Sequence, residues 1–288
     1  MTVRHETIIN IELEKLLPFQ NHPFQVKDDE QMLMITESIR SVGVLVPAIA
    51  RPVDNGYYEL ISGHRRKYAC ELAGIQSLPV IVRDVDRDTA TIMMVDSNFQ
   101  REKILPSERA KAYKMKLEAI KRQGARTDLT SDQVGQKLER KSSRDLIAEN
   151  SPDSSTQIQR YLRLNELIPE MLLLVDEGRI ALTPATELSF LTKEEQSLLL
   201  VTIESEEAAP SLSQAQRMKK LSRQGELTDD AILEIMMEQK KPECWNLTLP
   251  MSKITRYFPK SYTPQRMEET IIKLLDAWAR RWTERRGR

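Results

Sequence analysis

Apolar residues recur at every second position along residues 7–13, TIINIEL, which predicts a strand with one face on a core. From Asp28 the period changes. The stretch DDEQMLMITESIRSVG carries acids in its first turn and Gly43 at its end, the marks of a helix start and stop. Two more strands are expected over 44–52 and 57–62, separated by the turn residues Asp54, Asn55 and Gly56. A helix then runs from about Gly63 to Leu72 with Gly74 as its left-handed cap, and a β-branched strand covers 78–85. Strands and helices mix throughout residues 1–100, so this part is expected to be a compact α+β unit.

After residue 88 only the helical period remains. Helices are expected over DTATIMMVDSNFQRE (88–102), over 106–124 between Pro106 and Gly124, and over 131–141. Two short helices, 143–150 and 155–167, flank the tight polar turn SPDS, and five more are expected at 169–177, 184–191, 192–205, 211–224 and 228–240. Prolines and turn residues break 241–263 into a linker. Thr263 and Pro264 then open a last helix to about Arg286, with Met267, Ile271, Leu274, Leu275, Trp278 and Trp282 along one stripe. The expected organisation is an α+β domain over 1–100, an all-α domain over 101–240 with a helix-turn-helix at about 143–167, and a linker with a C-terminal amphipathic helix over 241–288.

Composition bounds this picture. The chain has 288 residues, is 30% charged and has only 9 glycines, as suits a helix-rich protein. No apolar run reaches the length of a membrane span, residues 1–20 lack a signal-peptide core, and two cysteines give no disulfide framework. A cytoplasmic protein with no membrane partner is therefore expected. The net charge of zero conceals blocks: residues 1–100 hold 10 basic and 14 acidic side chains, 101–126 hold 9 and 3, 166–250 hold 8 and 16, and 251–288 hold 10 and 4. Separate surfaces for separate partners follow, with 101–165 the place for a polyanion, although a basic helix face is often only a solvated one.

Three stretches carry candidate chemistry. In LISGHRRKYACELAG, Gly63, His64, Arg65, Arg66 and Lys67 crowd a helix start whose unpaired N–H groups already favour an anion. A phosphate is one answer; cations pointing into water or at nearby carboxylates is the other. In DSNFQRE, Asn98 and Arg101 are three apart and share a helix face, where an amide and a guanidinium suit phosphate oxygens or phosphate-bound Mg²⁺. On the helix after the SPDS turn, Ser155, Thr156, Gln157, Gln159, Arg160 and Arg163 lie outward while Ile158 and Leu162 face a core, which suits a helix entering the major groove of DNA. An ordinary helical hairpin with a polar face is the alternative. Cys70 and His64 are six apart on different helix faces, and Cys70 reads as a buried structural thiol.

The order of these motifs resembles the ParB/RepB partition-protein family. Gly63-His64-Arg65-Arg66 matches its G-E-R-R motif, Ser97-Asn98-Phe99-Gln100-Arg101-Glu102 its E-N-x-Q-R-E motif, and PSERAKAYKMKLEAI, GVLVPAIARP and the segment from DLIAENSPDSSTQIQRYLRLNEL to TPA continue the match over about 8–190. The resemblance implies a ParB/sulfiredoxin-type N-terminal fold, a CTP site with Mg²⁺ using Gly63, His64, Arg65, Arg66, Asn98 and Arg101, and Asn98 at the metal. It also implies a centromere-like duplex DNA target, homodimers that close as a clamp, a ParA-type ATPase as partner, and a place on the nucleoid or a plasmid. Two motif glutamates are His64 and Ser97 here, and LPFQNHPF lacks the arginine of the family's first-strand motif. Hydrolysis of CTP is accordingly expected to be weakened, with His64 the one candidate base. The alternatives are a nuclease or sulfiredoxin-like enzyme on the same fold, or a helix-turn-helix transcriptional regulator. The nucleophilic cysteine of sulfiredoxin's G-C-H-R motif is missing from Ser62-Gly63-His64-Arg65.

Overall fold

The computed structural model of the chain describes residues 7–101, 103–130, 143–149, 151–238, 254–259 and 261–286. It divides into two compact units, Met1–Glu238 and Gln239–Arg288. The boundary expected near residue 100 lies inside the first unit, because one of its cores draws on both sides of it.

Strands β1 (Ile8–Glu12), β2 (Leu16–Leu17), β3 (Ala48–Pro52), β4 (Tyr58–Ser62) and β5 (Ser77–Val82) form a mixed sheet in the order β1-β5-β3-β4-β2. The β1–β5 and β3–β4 pairs are antiparallel; β3–β5 and β2–β4 are parallel. β2 was not expected: it pairs only Leu16 and Leu17 with Tyr58 and Glu59, too short for a period to register. Residues 44–47, read as the start of a strand, form the loop into β3. Alternation along β4 makes the sheet two-sided. Leu60 joins Met32, Ile39, Ala69 and Cys70 of helices α1 (Glu30–Val42) and α2 (His64–Ala73), whereas the next residue, Ile61, joins Met94, Phe99 and Tyr113 on the other face.

That second face is covered by α3 (Arg87–Asn98) and α4 (Pro106–Thr130). Asp86 caps α3 by accepting the Thr89 N–H at 2.8 Å. α4 runs past Gly124, the expected stop, because Gly124 is not in the left-handed conformation of a C-cap. Keeping that glycine inside a helix costs about 1 kcal/mol relative to alanine. Side chains fasten the two helices: Lys116 to Asp96 at 2.5 Å, Arg122 to Asp88 at 2.8 Å, Gln123 to Thr89 at 3.0 Å. The helix expected over 131–141 falls outside the described residues.

Helices α5 (Ser143–Glu149) and α6 (Ser155–Leu164) supply Ile147 and Ile158 to the same core. Of the two serines that could cap α6, Ser154 does so, its hydroxyl accepting the Gln157 N–H at 3.3 Å, while Ser155 is the first helical residue. A third core is built from α7 (Pro169–Asp176), α8 (Leu182–Leu188), α9 (Lys193–Ser205), α10 (Leu212–Gln224) and α11 (Asp229–Met237), together with Leu164 and Leu167. Thr192 with Glu195 and Ser211 with Gln214 form capping boxes on α9 and α10. In the second unit Thr263 caps α12 (Pro264–Arg286), accepting the Arg266 N–H at 3.4 Å, and Ile272, Leu274, Leu275 and Trp278 are exposed along it.

Candidate functional site

The start of α2 is shaped by one glycine. Gly63 holds φ +109°, a region L side chains rarely adopt, and a Cβ there would sit 2.8 Å from the Ala48 Cβ. β4 can therefore turn directly into α2, leaving the first-turn N–H groups at the C-terminal end of β4. Sequence alone assigned both following arginines to one task; the structure separates them. Arg65 lies across the N-terminus of α1, donating to Asp29 Oδ1 at 3.0 Å and Gln31 Oε1 at 3.2 Å. Arg66 turns the other way and donates to the carbonyls of Val46 and Pro47 at 2.5 and 2.6 Å, bracing the loop before β3. Both arginines thus have partners within the chain, Arg65 a carboxylate and an amide, Arg66 two backbone carbonyls.

The Phe19 N–H donates to His64 Nε2 at 3.4 Å, and the ring lies against His22 with centroids 3.9 Å apart. Burial, then the neighbouring His22, Arg101 and Lys67, drive its pKa down to about 3. A neutral imidazole with so low a pKa, its Nε2 already accepting a bond, is a poor general base near pH 7. His22 was missed by sequence reasoning, since its only mark is a lone His before Pro23 in a loop. Its Nδ1 donates to Phe24 O at 2.7 Å, burial lowers its pKa, and its Nε2 is buried without a partner among the described residues.

Asn98 and Arg101 close this corner from the end of α3. Asn98 is buried and its amide donates to Met94 O at 2.8 Å, while the Arg101 N–H donates to Asn98 O at 3.1 Å. The Arg101 guanidinium stands 5.5 Å from the Phe24 ring, and burial followed by the charge of Arg65 lowers its pKa. Arg101 thus lies close to Arg65 and to the two histidines, and the Arg66 guanidinium stands beside Gly63 itself, its Nη2 3.4 Å from where a Cβ would sit. Buried Glu108 accepts from the Gln25 N–H at 2.8 Å and the Leu105 N–H at 3.3 Å, tying the loop that carries His22 to the head of α4. Among the described residues no group of three His, Cys, Asp or Glu could hold a metal ion. Cys70 is buried and its thiol is pushed up by that burial.

The helical pair α5–α6 presents a different surface. Thr156 and Gln159 are exposed, and Ser155, Gln157 and Arg160 are half-buried, with Arg160 donating to Gln157 Oε1 at 3.4 Å. Arg163 departs from expectation: it donates to Ser189 Oγ at 3.2 Å and Ser189 O at 2.6 Å and covers the Phe190 ring. On α4, Arg109, Lys116 and Arg122 make ion pairs with Asp153, Asp96 and Asp88, so Lys111, Lys114 and Lys121 are the exposed lysines left on that helix. The turn between α5 and α6 is held from below. Tyr113, fully buried, donates to Asp153 Oδ2 at 2.6 Å and lies 2.5 Å from Ser151 Oγ. Aromatic contacts run on from there, Phe24 to Phe99 at 6.4 Å, Phe99 to Tyr113 at 4.7 Å and Tyr113 to Tyr161 of α6 at 5.9 Å, linking the Arg101 corner to α6.

A family model for the ParB N-terminal domain matches residues 1–99. The chain is 29% identical over 190 residues to the chromosome-partitioning protein Spo0J of Thermus thermophilus, covering 66% of this chain and 62% of that protein. It is 30% identical over 177 residues to the stage 0 sporulation protein J of Bacillus subtilis, covering 62% and 55%. To the nucleoid occlusion protein of Geobacillus thermodenitrificans it is 32% identical over 134 residues, covering 46% and 45%. The chain thus spans about half to three fifths of the length of these curated relatives. Among solved structures, C-terminally truncated ParB of Caulobacter crescentus complexed to the centromeric parS site matches at 21% identity and a TM-score of 0.45, over 75% of this chain and 99% of that one. The same protein complexed with CTP-gamma-S matches at 23% identity and a TM-score of 0.31, over 67% and 96%.

Proposed function

We propose, for a chain that belongs to the ParB family through its N-terminal domain, that it is a DNA-binding partition protein with a nucleotide switch. It binds a centromere-like duplex site on a chromosome, plasmid or mobile element, in the cytoplasm at the nucleoid or plasmid, as a homodimer and with a ParA-type ATPase as partner. The observation that carries the reading is the polar stripe of α6. Thr156 and Gln159 are exposed on a helix whose opposite side, through Ile158, is anchored in the core. Short polar side chains near the N-terminus of such a helix can reach base edges in the major groove.

The switch is a CTP-type nucleotide beside Gly63. The free N–H groups of the first turn of α2, Arg65 and Arg101 supply charge-assisted donors to its phosphates. An Arg65 charge close enough to lower the pKa of Arg101 favours an anion between the two. The Asn98 carboxamide would be the protein ligand of a phosphate-bound Mg²⁺, which would supply charge neutralisation there. Hydrolysis is slow, because His64 is neutral with its Nε2 engaged and Ser97, whose hydroxyl donates to Met94 O at 2.9 Å, replaces a carboxylate.

Selecting duplexes from a random pool with the full chain tests the DNA half. A recurring motif is expected from wild type and none from a Thr156→Ala/Gln159→Ala variant; the same motif from both overturns the assignment to α6. Calorimetry with CTP and Mg²⁺, alongside a phosphate-release assay, tests the other half. Abolished binding in Arg101→Ala and little phosphate release by wild type are expected, and undetectable binding by wild type overturns the nucleotide site.

A further inference from the structure

Three cations converge on one ring at the C-terminal end of α6. Phe190, 38% exposed just beyond α8, has the Lys219 ammonium 3.6 Å from its centroid, the Arg163 guanidinium at 3.9 Å and the Arg223 guanidinium at 5.4 Å. Arg163 comes from α6, whereas Lys219 and Arg223 stand one turn apart on α10, so two separate elements bring their charge to the same spot. Cations attract a ring face only weakly at an exposed site. They also repel one another. Among the described residues the ion pairing here is that of Lys219 with Glu187 at 2.6 Å; Arg163 is held by Ser189, and the nearby Glu195 accepts from Ser222 Oγ and the Thr192 N–H. Three positive charges therefore face one paired carboxylate.

The position of this cluster suggests what supplies the missing negative charge. Thr156, Gln159, Arg160 and Arg163 follow one another at helical spacings, so Arg163 ends the stripe that begins at the N-terminus of α6. Exposed Arg223 continues the same run of polar surface onto α10. We infer that the Phe190 cluster is a phosphate-backbone contact for duplex DNA flanking the bases read by α6, with Arg223 as its principal donor and Phe190 as the platform holding Arg163 and Lys219 in place. The inference rests on the DNA reading proposed above. A backbone contact fixes the register of the protein on the duplex without selecting sequence.

The test is the salt dependence of binding, measured by fluorescence anisotropy with the full chain on a duplex of random sequence and on the motif obtained by selection. Removing one cation–phosphate pair makes the slope of log K against log salt shallower by roughly 0.9. Arg223→Ala is expected to show that change and to weaken both duplexes by the same factor, leaving sequence preference intact. Arg217→Ala removes the same charge from another part of α10, where it pairs with Glu238 at 2.5 Å, and is expected to keep the wild-type slope. Wild-type slope in Arg223→Ala, or an equal change in both variants, overturns the cluster alone while the DNA reading stands. Weakening seen on single-stranded RNA but not on duplex DNA overturns the choice of partner. Absence of duplex binding by wild type at low salt removes the DNA reading and this inference together.

Discussion

Single residues decide what the corner beside Gly63 can do, and they do so through conformation and proton affinity more than through charge count. Gly63 is required twice, by its φ and by the Ala48 methyl, so neither constraint alone measures it. A left-handed non-glycine residue costs about 1–2 kcal/mol, and relief of the 2.8 Å contact must displace Ala48 in the buried strand β3. Gly63→Ala is expected to lower stability by about 2–4 kcal/mol in urea denaturation and to weaken CTP binding as the first turn of α2 shifts. His64 makes stability depend on acid. The unfolded imidazole takes a proton near pH 6.5, the folded one only near pH 3, so between those values the unfolded state holds more protons. Stability therefore falls as pH drops through that window, by about 3 kcal/mol between pH 7 and pH 4 at about 1.4 kcal/mol per pH unit. His22 acts in the same direction. Denaturation midpoints across that range should show the slope in wild type and a shallower one in His64→Gln; an unchanged slope would place the titration elsewhere.

At the scale of elements, the legible features were those whose cause is local. Thr263 caps its helix as its sequence position implies, and Asp29 and Ser154 cap theirs at the expected starts, because a cap needs only a side chain and an N–H three residues on. β2 was not legible, being two residues long with its partner some forty residues away. Nor was the fate of the cations. Arg65 and Arg66 look alike in sequence, but adjacent helix positions point about 100° apart, and their acceptors, Asp29 and the Val46 and Pro47 carbonyls, come from distant elements. The basic face of α4 divided in the same way once α3 supplied Asp88 and Asp96. The turn between α5 and α6 depends on a bond no local pattern announces, from Tyr113 to Asp153. Burial raises the Tyr113 pKa, so the phenol remains a donor throughout the neutral range. Tyr113→Phe is expected to cost about 1.5–3 kcal/mol, the range for hydrogen bonds to a charged group, with weaker DNA binding because α6 is less firmly held. Unchanged stability would mean that Arg109 alone positions Asp153.

For the whole molecule the outstanding matter is what covers α12. Ile272, Leu274, Leu275 and Trp278 are between 51% and 64% exposed within three turns of one helix, which is more apolar surface than isolated residues on a soluble face require. A helix that is apolar along one side is stable in water mainly when that side is packed. A second copy of α12 offers the same stripe and closes the contact by two-fold symmetry, with no heterologous edge left to propagate. Dimerisation would also set two copies of α6 against one DNA site, matching a two-fold protein to a site with inverted halves. The full chain is therefore expected to be a dimer by light scattering, and a chain ending near residue 262 a monomer that keeps the unit Met1–Glu238 folded. Trp278→Asp should have the same effect without shortening the chain, since a buried unpaired carboxylate opposes association strongly. If both remain dimeric, the interface lies in the first unit. A full chain that is monomeric before and after either change means that the α12 stripe packs on its own polypeptide.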